Sequence, residues 1–198
     1  MTAPVVTALR ARGQGRVAVE LDGRPWRVVP LEAVYAAGLA VGGLLDRAAA
    51  RAVGRELRRA EARGAALRAL RARDHTTASL EQRLAARGTI ASLRRETVDA
   101  AQRAGLVDDR RFAIQRAAQL AARGSGDLLI DDDLVRHGVP ADAVCEAIEA
   151  LEPEASRVEA IVEARGNSPK TARYLAARGF SEASLETMIA NLASDALG

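Results

Sequence analysis

The chain has 198 residues, 48% of them hydrophobic but only 3% aromatic, so a core must be assembled from Leu, Val, Ile and Ala, which suits thin helix-on-helix packing. The single cysteine, Cys145, excludes an intramolecular disulfide framework and a multi-cysteine zinc site, and two histidines leave little room for a His-based metal cluster. The formal net charge of +3 conceals a gradient: residues 1–103 carry 19 Arg against 10 acids, and residues 104–198 carry 10 basic residues against 16 acids. Of the 29 basic residues 28 are Arg, which a GC-rich coding sequence explains without reference to function; it does not explain the gradient. The longest uncharged apolar stretch, Ala33 to Leu45, is shorter than the roughly 20 residues that span a bilayer. Met1 to Leu9 lacks the basic start and long apolar run of a signal peptide. A cytoplasmic protein with no membrane contact is expected.

Residues 1–45 read as a small β-hairpin or strand segment with a short helix. Val17, Val19 and Leu21 alternate, Asp22-Gly23 signals a hairpin turn, and Trp26, Val28 and Val29 follow. Pro25 belongs at a strand start or edge, where its missing N–H matters least. Val5 to Leu9 supplies a third strand, and the helix that follows is the natural packing partner.

Residues 46–73 read as a basic linking helix, long or broken. Leu45, Ala49, Ala52, Val53 and Leu57 form an apolar stripe, and a bend is expected near Gly64, because glycine weakens a helix by about 1 kcal/mol. Arg47, Arg51, Arg55 and Arg59 recur at four-residue spacing, with Arg58 and Arg63 widening the run. Such a run is ordinarily a solvated face. Here nine Arg stand against only Asp46, Glu56 and Glu61, so phosphate binding carries comparable weight.

The remaining chain repeats. Leu84-Ala-Ala-Arg87-Gly88, Leu134-Val-Arg-His137-Gly138 and Leu175-Ala-Ala-Arg178-Gly179 share the phrase Leu-x-x-basic-Gly. Each reads as a helix end: glycine takes the left-handed position, and the basic residue complements the helix dipole. Ile90, Val139 and Phe180 are the expected apolar residues that close each cap. An amphipathic helix follows each phrase, with Leu93, Val98 and Ala101, then Val144, Ile148 and Leu151, then Leu185, Met188, Ile189 and Leu192. A further helix precedes each: Ala66 to Arg73, Asp109 to Ala122 and Glu154 to Arg165. Asp108 and Asp109 suit the start of the middle one, and Ser168-Pro169 reads as N-cap plus first helical residue. The fold expected is mainly α: an elongated tandem array of three three-helix repeats behind a small β-containing segment. The repeats are residues 74–107 (its first helix overlapping 66–73), 108–152 and 153–198, and neighbours must share a core.

No enzyme motif is present: there is no phosphate-binding loop, H-E-x-x-H, C-x-x-C or G-x-S-x-G. His75 lies in a loop-like stretch and His137 in a helix-cap slot, both read as structural. Cys145 reads as buried filler beside Val144 rather than as a nucleophile. Asp131, Asp132 and Asp133, with Asp127 nearby, point in different directions on a helix and cannot converge on a metal. They read as a solvated helix N-terminus. No cofactor and no metal are expected.

The stretch Gly105-Leu106-Val107-Asp108-Asp109-Arg110-Arg111-Phe112-Ala113 resembles the G-[LY]-[IV]-D-D-x-R-F-A signature of the RecX family, regulators of the RecA recombinase filament. Leu80, Leu84, Arg87 and Gly88 fit the family's first repeat, and Arg173-Tyr174-Leu175 with Arg178-Gly179-Phe180 resembles its third. Asp22-Gly23 and Leu39-Ala40-Val41-Gly42 fit an N-terminal segment of longer members. The family's tandem three-helix architecture agrees with the repeat read from the residues. Two departures stand out. The basic K-G-P-x-R-I-x-x-E-L run that opens the family's second repeat is here Ser125 to Leu134, with Ser125, Asp127 and Leu129 in place of Lys, Pro and Arg. Thr76 stands where Ser is usual.

What the resemblance implies is a negative modulator that binds the RecA–DNA filament and inhibits its ATPase and strand exchange, in DNA repair, recombination and the SOS response. It would carry out no chemistry. Arg47, Arg51, Arg55, Arg58, Arg59 and Arg63, aided by Arg83, Arg87, Arg94 and Arg95, would contact DNA phosphates or an acidic groove. The acidic second repeat moves that role to the basic N-terminal half, which would take single- or double-stranded DNA. A monomer is expected from the array form. Within the signature, Gly105, Asp108, Asp109, Arg111 and Phe112 read as turn, cap and core residues. The competing reading is a stand-alone DNA-binding helical module with no recombinase dependence. A hydrolase built on the aspartate cluster is a distant third.

Overall fold

A computed structural model describes residues 3–186. Strands β1 (Val6–Ala11), β2 (Arg16–Leu21) and β3 (Arg24–Pro30) form an antiparallel meander in the order β1-β2-β3. Asp22 and Gly23 have φ of 49° and 77°, the pair of left-handed residues that a two-residue hairpin turn of matching twist requires. Pro25 lies in β3, an edge strand, as its missing donor demands. Val17 and Val19 point to one face and are buried with Val6, Val29, Ala33 and Val34. The last two come from helix α1 (Leu31–Ala36). Leu45 and Val53 complete that core, with Ala49 and Leu57 packed against it, so the apolar stripe behaves as its periodicity predicts.

Helix α2 (Arg47–Ala72) runs unbroken through Gly54 and Gly64. Of the two alternatives, long or broken, the helix is the long one. Ala62, Ala65 and Ala66 are buried around Gly64, and tertiary packing of a small-residue face outweighs a propensity cost of about 1 kcal/mol. Its C-terminal part serves as the first helix of the first repeat, which continues with α3 (Thr77–Ala85) and α4 (Ala91–Arg103). The second repeat is α5 (Asp109–Ala122), α6 (Asp127–Arg136) and α7 (Ala141–Glu149). The third has α8 (Glu154–Arg165) and α9 (Pro169–Ala177), followed by helical residues 182–186. Leu185 is buried; Met188, Ile189 and Leu192 lie outside the described residues.

All three Leu-x-x-basic-Gly phrases form the same cap. Gly88, Gly138 and Gly179 have φ of 76°, 72° and 77°, and the next N–H donates to the phrase's leucine carbonyl at 3.2 Å each time. Val139 and Phe180 are buried as expected. Ile90 is not: it is 58% exposed, because the residue that closes the first cap is Thr89. Cys145 is exposed, contrary to its expected burial. Ala143, Val144 and Ala147 define the inner face of α7, and position 145 falls a further 100° around it.

Two compact units divide the described chain: residues up to Arg68 with Leu84–Thr97, and Ala69–Arg83 with the residues from Val98 onward. The second contains two repeat joints built to one plan. At one, the Asp109 carboxylate accepts from the Thr77 N–H and hydroxyl at 2.8 and 2.6 Å, and the His137 carbonyl accepts from the Thr76 hydroxyl at 2.6 Å. At the other, Glu154 accepts from the Asp127 N–H at 2.7 Å, and the Arg178 carbonyl accepts from the Gly126 N–H at 2.8 Å. In both, an acid at the start of one repeat's first helix and a carbonyl of its phrase hold the N-terminus of a helix from the repeat before. Ser168 caps α9 through the Thr171 N–H, with Pro169 first in the helix, as the sequence predicts.

Candidate functional site

Nine of the ten arginines of the predicted contact set lie in the first unit. Arg47, Arg51, Arg55, Arg58 and Arg63 on α2 are all exposed, as are Arg87 and Arg95. Arg51, Arg55 and Arg58 line a groove of about 460 Å³ beside Ala50 and Gly54. Two predicted members depart from the set. Arg59 is engaged with Glu56 and, at 3.0 Å, with Glu96 on α4, and those carboxylates raise its pKa further. The reason is helical geometry: each four-residue step advances about 40° around the axis, so a run that starts in solvent at Arg47 has rotated toward α4 by Arg59. Arg94 is half-buried and donates to the Thr89 carbonyl at 2.9 Å. Arg83 is exposed but belongs to the second unit.

In the second unit three arginines, Arg116, Arg157 and Arg178, act internally, a use that sequence reading missed. Arg116 makes a two-pronged contact with Asp133 at 2.8 and 2.9 Å. Hydrogen bonding by Arg116 holds the Asp133 carboxyl below its ordinary range. Arg157 pairs with Asp127 and donates to the Ser125 carbonyl at 2.9 Å. Arg178 donates to the Gly124 carbonyl at 2.9 Å. Glu154 is partly buried, which pushes its pKa up, but hydrogen bonds from Ser181, Ser184 and the Asp127 N–H outweigh burial and hold it low. Asp131 to Asp133 therefore do not form a helix N-terminus. They sit in the middle of α6, with Asp132 paired to Arg136 and Asp133 to Arg116. Among the described residues no three His, Cys, Asp or Glu side chains gather to hold a metal ion.

His75 is buried just before α3, with Nδ1 2.9 Å from the Ser79 hydroxyl. Burial, then the positive charges of Arg73 and Arg83, push its pKa down. His137 is the C-cap of α6, its ring 5.5 Å from that of Phe112.

No family model matches the sequence. A curated protein of Chromohalobacter salexigens named "Regulatory protein RecX" is 38% identical, over 58% of this chain and 82% of the relative. A second protein of that name, from Halorhodospira halophila, is 31% identical over 60% of this chain and 80% of its own. The chain belongs to the RecX family. A crystal structure of regulatory protein RecX matches with a TM-score of 0.78 at 20% identity, covering 93% of this chain and 98% of the other. RecX from Lactobacillus salivarius matches with a TM-score of 0.58 at 17% identity, over 68% and 96%. At those identities the structures speak for the fold alone: helical repeats behind a small N-terminal sheet.

In this RecX-type regulatory protein the family signature builds a joint. Gly105 turns the chain at φ 67°, Asp108 caps α5 by accepting from the Arg111 N–H at 2.9 Å, and Asp109 caps α3. Phe112 packs against the second repeat's core, while the Arg111 side chain is exposed and reaches the Gly105 carbonyl at 3.4 Å. Thr76 is fully buried and caps α3 through the Ser79 N–H at 3.1 Å. Among the described residues no helix is long and apolar enough to cross a membrane.

Proposed function

We propose that this RecX-family protein is a negative regulator of the RecA recombinase, binding the RecA–DNA filament and lowering its ATP hydrolysis and strand exchange during DNA repair, recombination and the SOS response. Family membership carries this reading, and the exposed arginines of the first unit support it. They offer forked donors for phosphates or for an acidic protein groove. The protein acts as a cytoplasmic monomer without chemistry of its own, shifting the filament between states through different affinity for each. Of the predicted contact set, Arg47, Arg51, Arg55, Arg58, Arg63, Arg87 and Arg95 are exposed and would contact the phosphates of single- or double-stranded DNA or an acidic groove, while Arg59 is engaged with Glu56 and Glu96.

The exposed arginine run also supports a second reading, a DNA-binding module with no need of the recombinase. Titrating the protein into recombinase hydrolysing ATP on single-stranded DNA, at two salt concentrations and beside a DNA-binding assay, separates them. Inhibition well below the concentration that coats the DNA is expected. Inhibition only at DNA saturation would replace the filament reading with the second one.

A further inference from the structure

The two repeat joints of the second unit show what the Leu-x-x-basic-Gly phrase is built to receive. At Gly138 an added Cβ would lie 2.4 Å from the Cβ of Ala78, second residue of α3. At Gly179 it would lie 2.7 Å from the Cβ of Leu129, third residue of α6. Each bare glycine is thus covered by the first turn of a helix, whose backbone or cap donors end on an acid and on the phrase's carbonyl. At Gly88, in the first unit, an added Cβ would meet nothing within 4 Å among the described residues. The cap itself is intact, with the same left-handed glycine and the same 3.2 Å bond to the leucine carbonyl. The acid is present too. Glu61 stands eleven residues before the end of its helix at Ala72, where Glu154 and Asp109 stand eleven and thirteen residues before the ends of theirs at Arg165 and Ala122. Glu61, Arg87 and Gly88 together line a groove of about 270 Å³.

We propose that the first repeat presents this socket unfilled, and that it takes the first turn of a helix on the recombinase protomer; the choice of partner rests on the regulatory reading above. The chemistry of the occupant follows from the walls. Free N–H groups of a helix N-terminus donate to the Glu61 carboxylate and the Arg87 carbonyl. A small or apolar side chain at the second or third helical position lies over Gly88 and the apolar floor of Ala62, Ala65 and Leu93. Carboxylates in the same turn, favoured there by the helix dipole, meet the rim of Arg58, Arg68 and Arg87. A second copy of this chain is a poor occupant. Its α3 and α6 already have their first turns seated internally, and α9 begins with Pro169, which has no N–H, and Lys170, which an arginine rim repels.

The test places p-benzoylphenylalanine at position 90, the exposed isoleucine on the groove wall, in the full chain bound to recombinase filaments on single-stranded DNA. Photo-cross-linked peptides are then mapped by mass spectrometry. Cross-links within the first turn of a recombinase helix are expected. Gly88→Asn, which tolerates a left-handed backbone but fills the space, and Glu61→Lys should each lower filament affinity by about tenfold while leaving the circular dichroism spectrum unchanged. Filament binding with cross-links elsewhere on the recombinase, only to a second copy of this chain, or to nothing would overturn the socket while sparing the regulatory reading. If the unsubstituted chain fails to bind filaments at all, both fall.

Discussion

In the second unit Arg116, Arg157 and Arg178 turn inward and end on carboxylates and backbone carbonyls, whereas in the first Arg47, Arg51, Arg55 and Arg58 end in solvent. Residue type does not separate the two sets. The acids around them do. Asp127 and Asp133 stand within reach in the acidic half, while α2 carries few acids, and one of them, Glu56, is taken by Arg59. The glycine phrases divide in the same way: two are covered by a neighbouring helix and one is open. A motif that repeats in sequence therefore has a structural use where its partner lies in the chain, and is available to another molecule where it does not.

The sharpest way to break this contrast is to add a methyl group at the covered joint. Gly126→Ala would place its Cβ 2.3 Å from the Gly179 carbonyl oxygen and the Phe180 nitrogen, both backbone atoms that cannot step aside. A loss of about 3 kcal/mol in urea denaturation is expected, against about 1 kcal/mol for the unobstructed but left-handed Gly88→Ala. Equal losses at the two positions would mean that the joint is looser than its distances imply. Next comes Glu154→Ala, which strands the Asp127 N–H and the Ser181 hydrogen bonds and should cost about 2 kcal/mol.

A smaller effect concerns pH. His75 titrates below its ordinary value in the fold, so the unfolded chain binds the proton more readily and stability falls as pH drops from about 7 toward about 5. His75→Asn keeps a polar atom near Ser79 and should flatten that part of the stability profile measured by thermal melting. An unchanged slope would assign the pH dependence to other groups. The least effect on stability, within about 0.5 kcal/mol, is expected for Arg51, Arg55 and Arg58 changed together to Ala. The same variant should make DNA affinity less salt-dependent, reducing the slope of log K against log salt by about 3. Complete retention of DNA affinity would remove the α2 arginines from the interface.

The periodic and local features were legible from residues alone. Valine alternation with Asp22-Gly23, the apolar stripe of α2, the three capped phrases and the Ser168-Pro169 start all depend on interactions within a few positions, so a short window contains their whole cause. Asp108 and Phe112 were legible for the same reason, as a cap and a core anchor. What failed did so where the partner is distant in sequence. Spacing groups Arg59 with its neighbours because Glu96 is 37 residues away, composition makes Asp133 a solvated residue because Arg116 lies on another helix, and the closing role that the pattern gives to Ile90 is taken by Thr89.

By itself the sequence determined the helical repeats, the β segment ahead of them and the charge gradient, since periodicity, caps and composition act locally or add up without regard to geometry. Only the tertiary structure decided which arginines are exposed, which acids are neutralised and which of the three phrase glycines is uncovered among the described residues. Those properties depend on distances of a few ångströms between residues tens of positions apart, and chain order does not encode such distances directly.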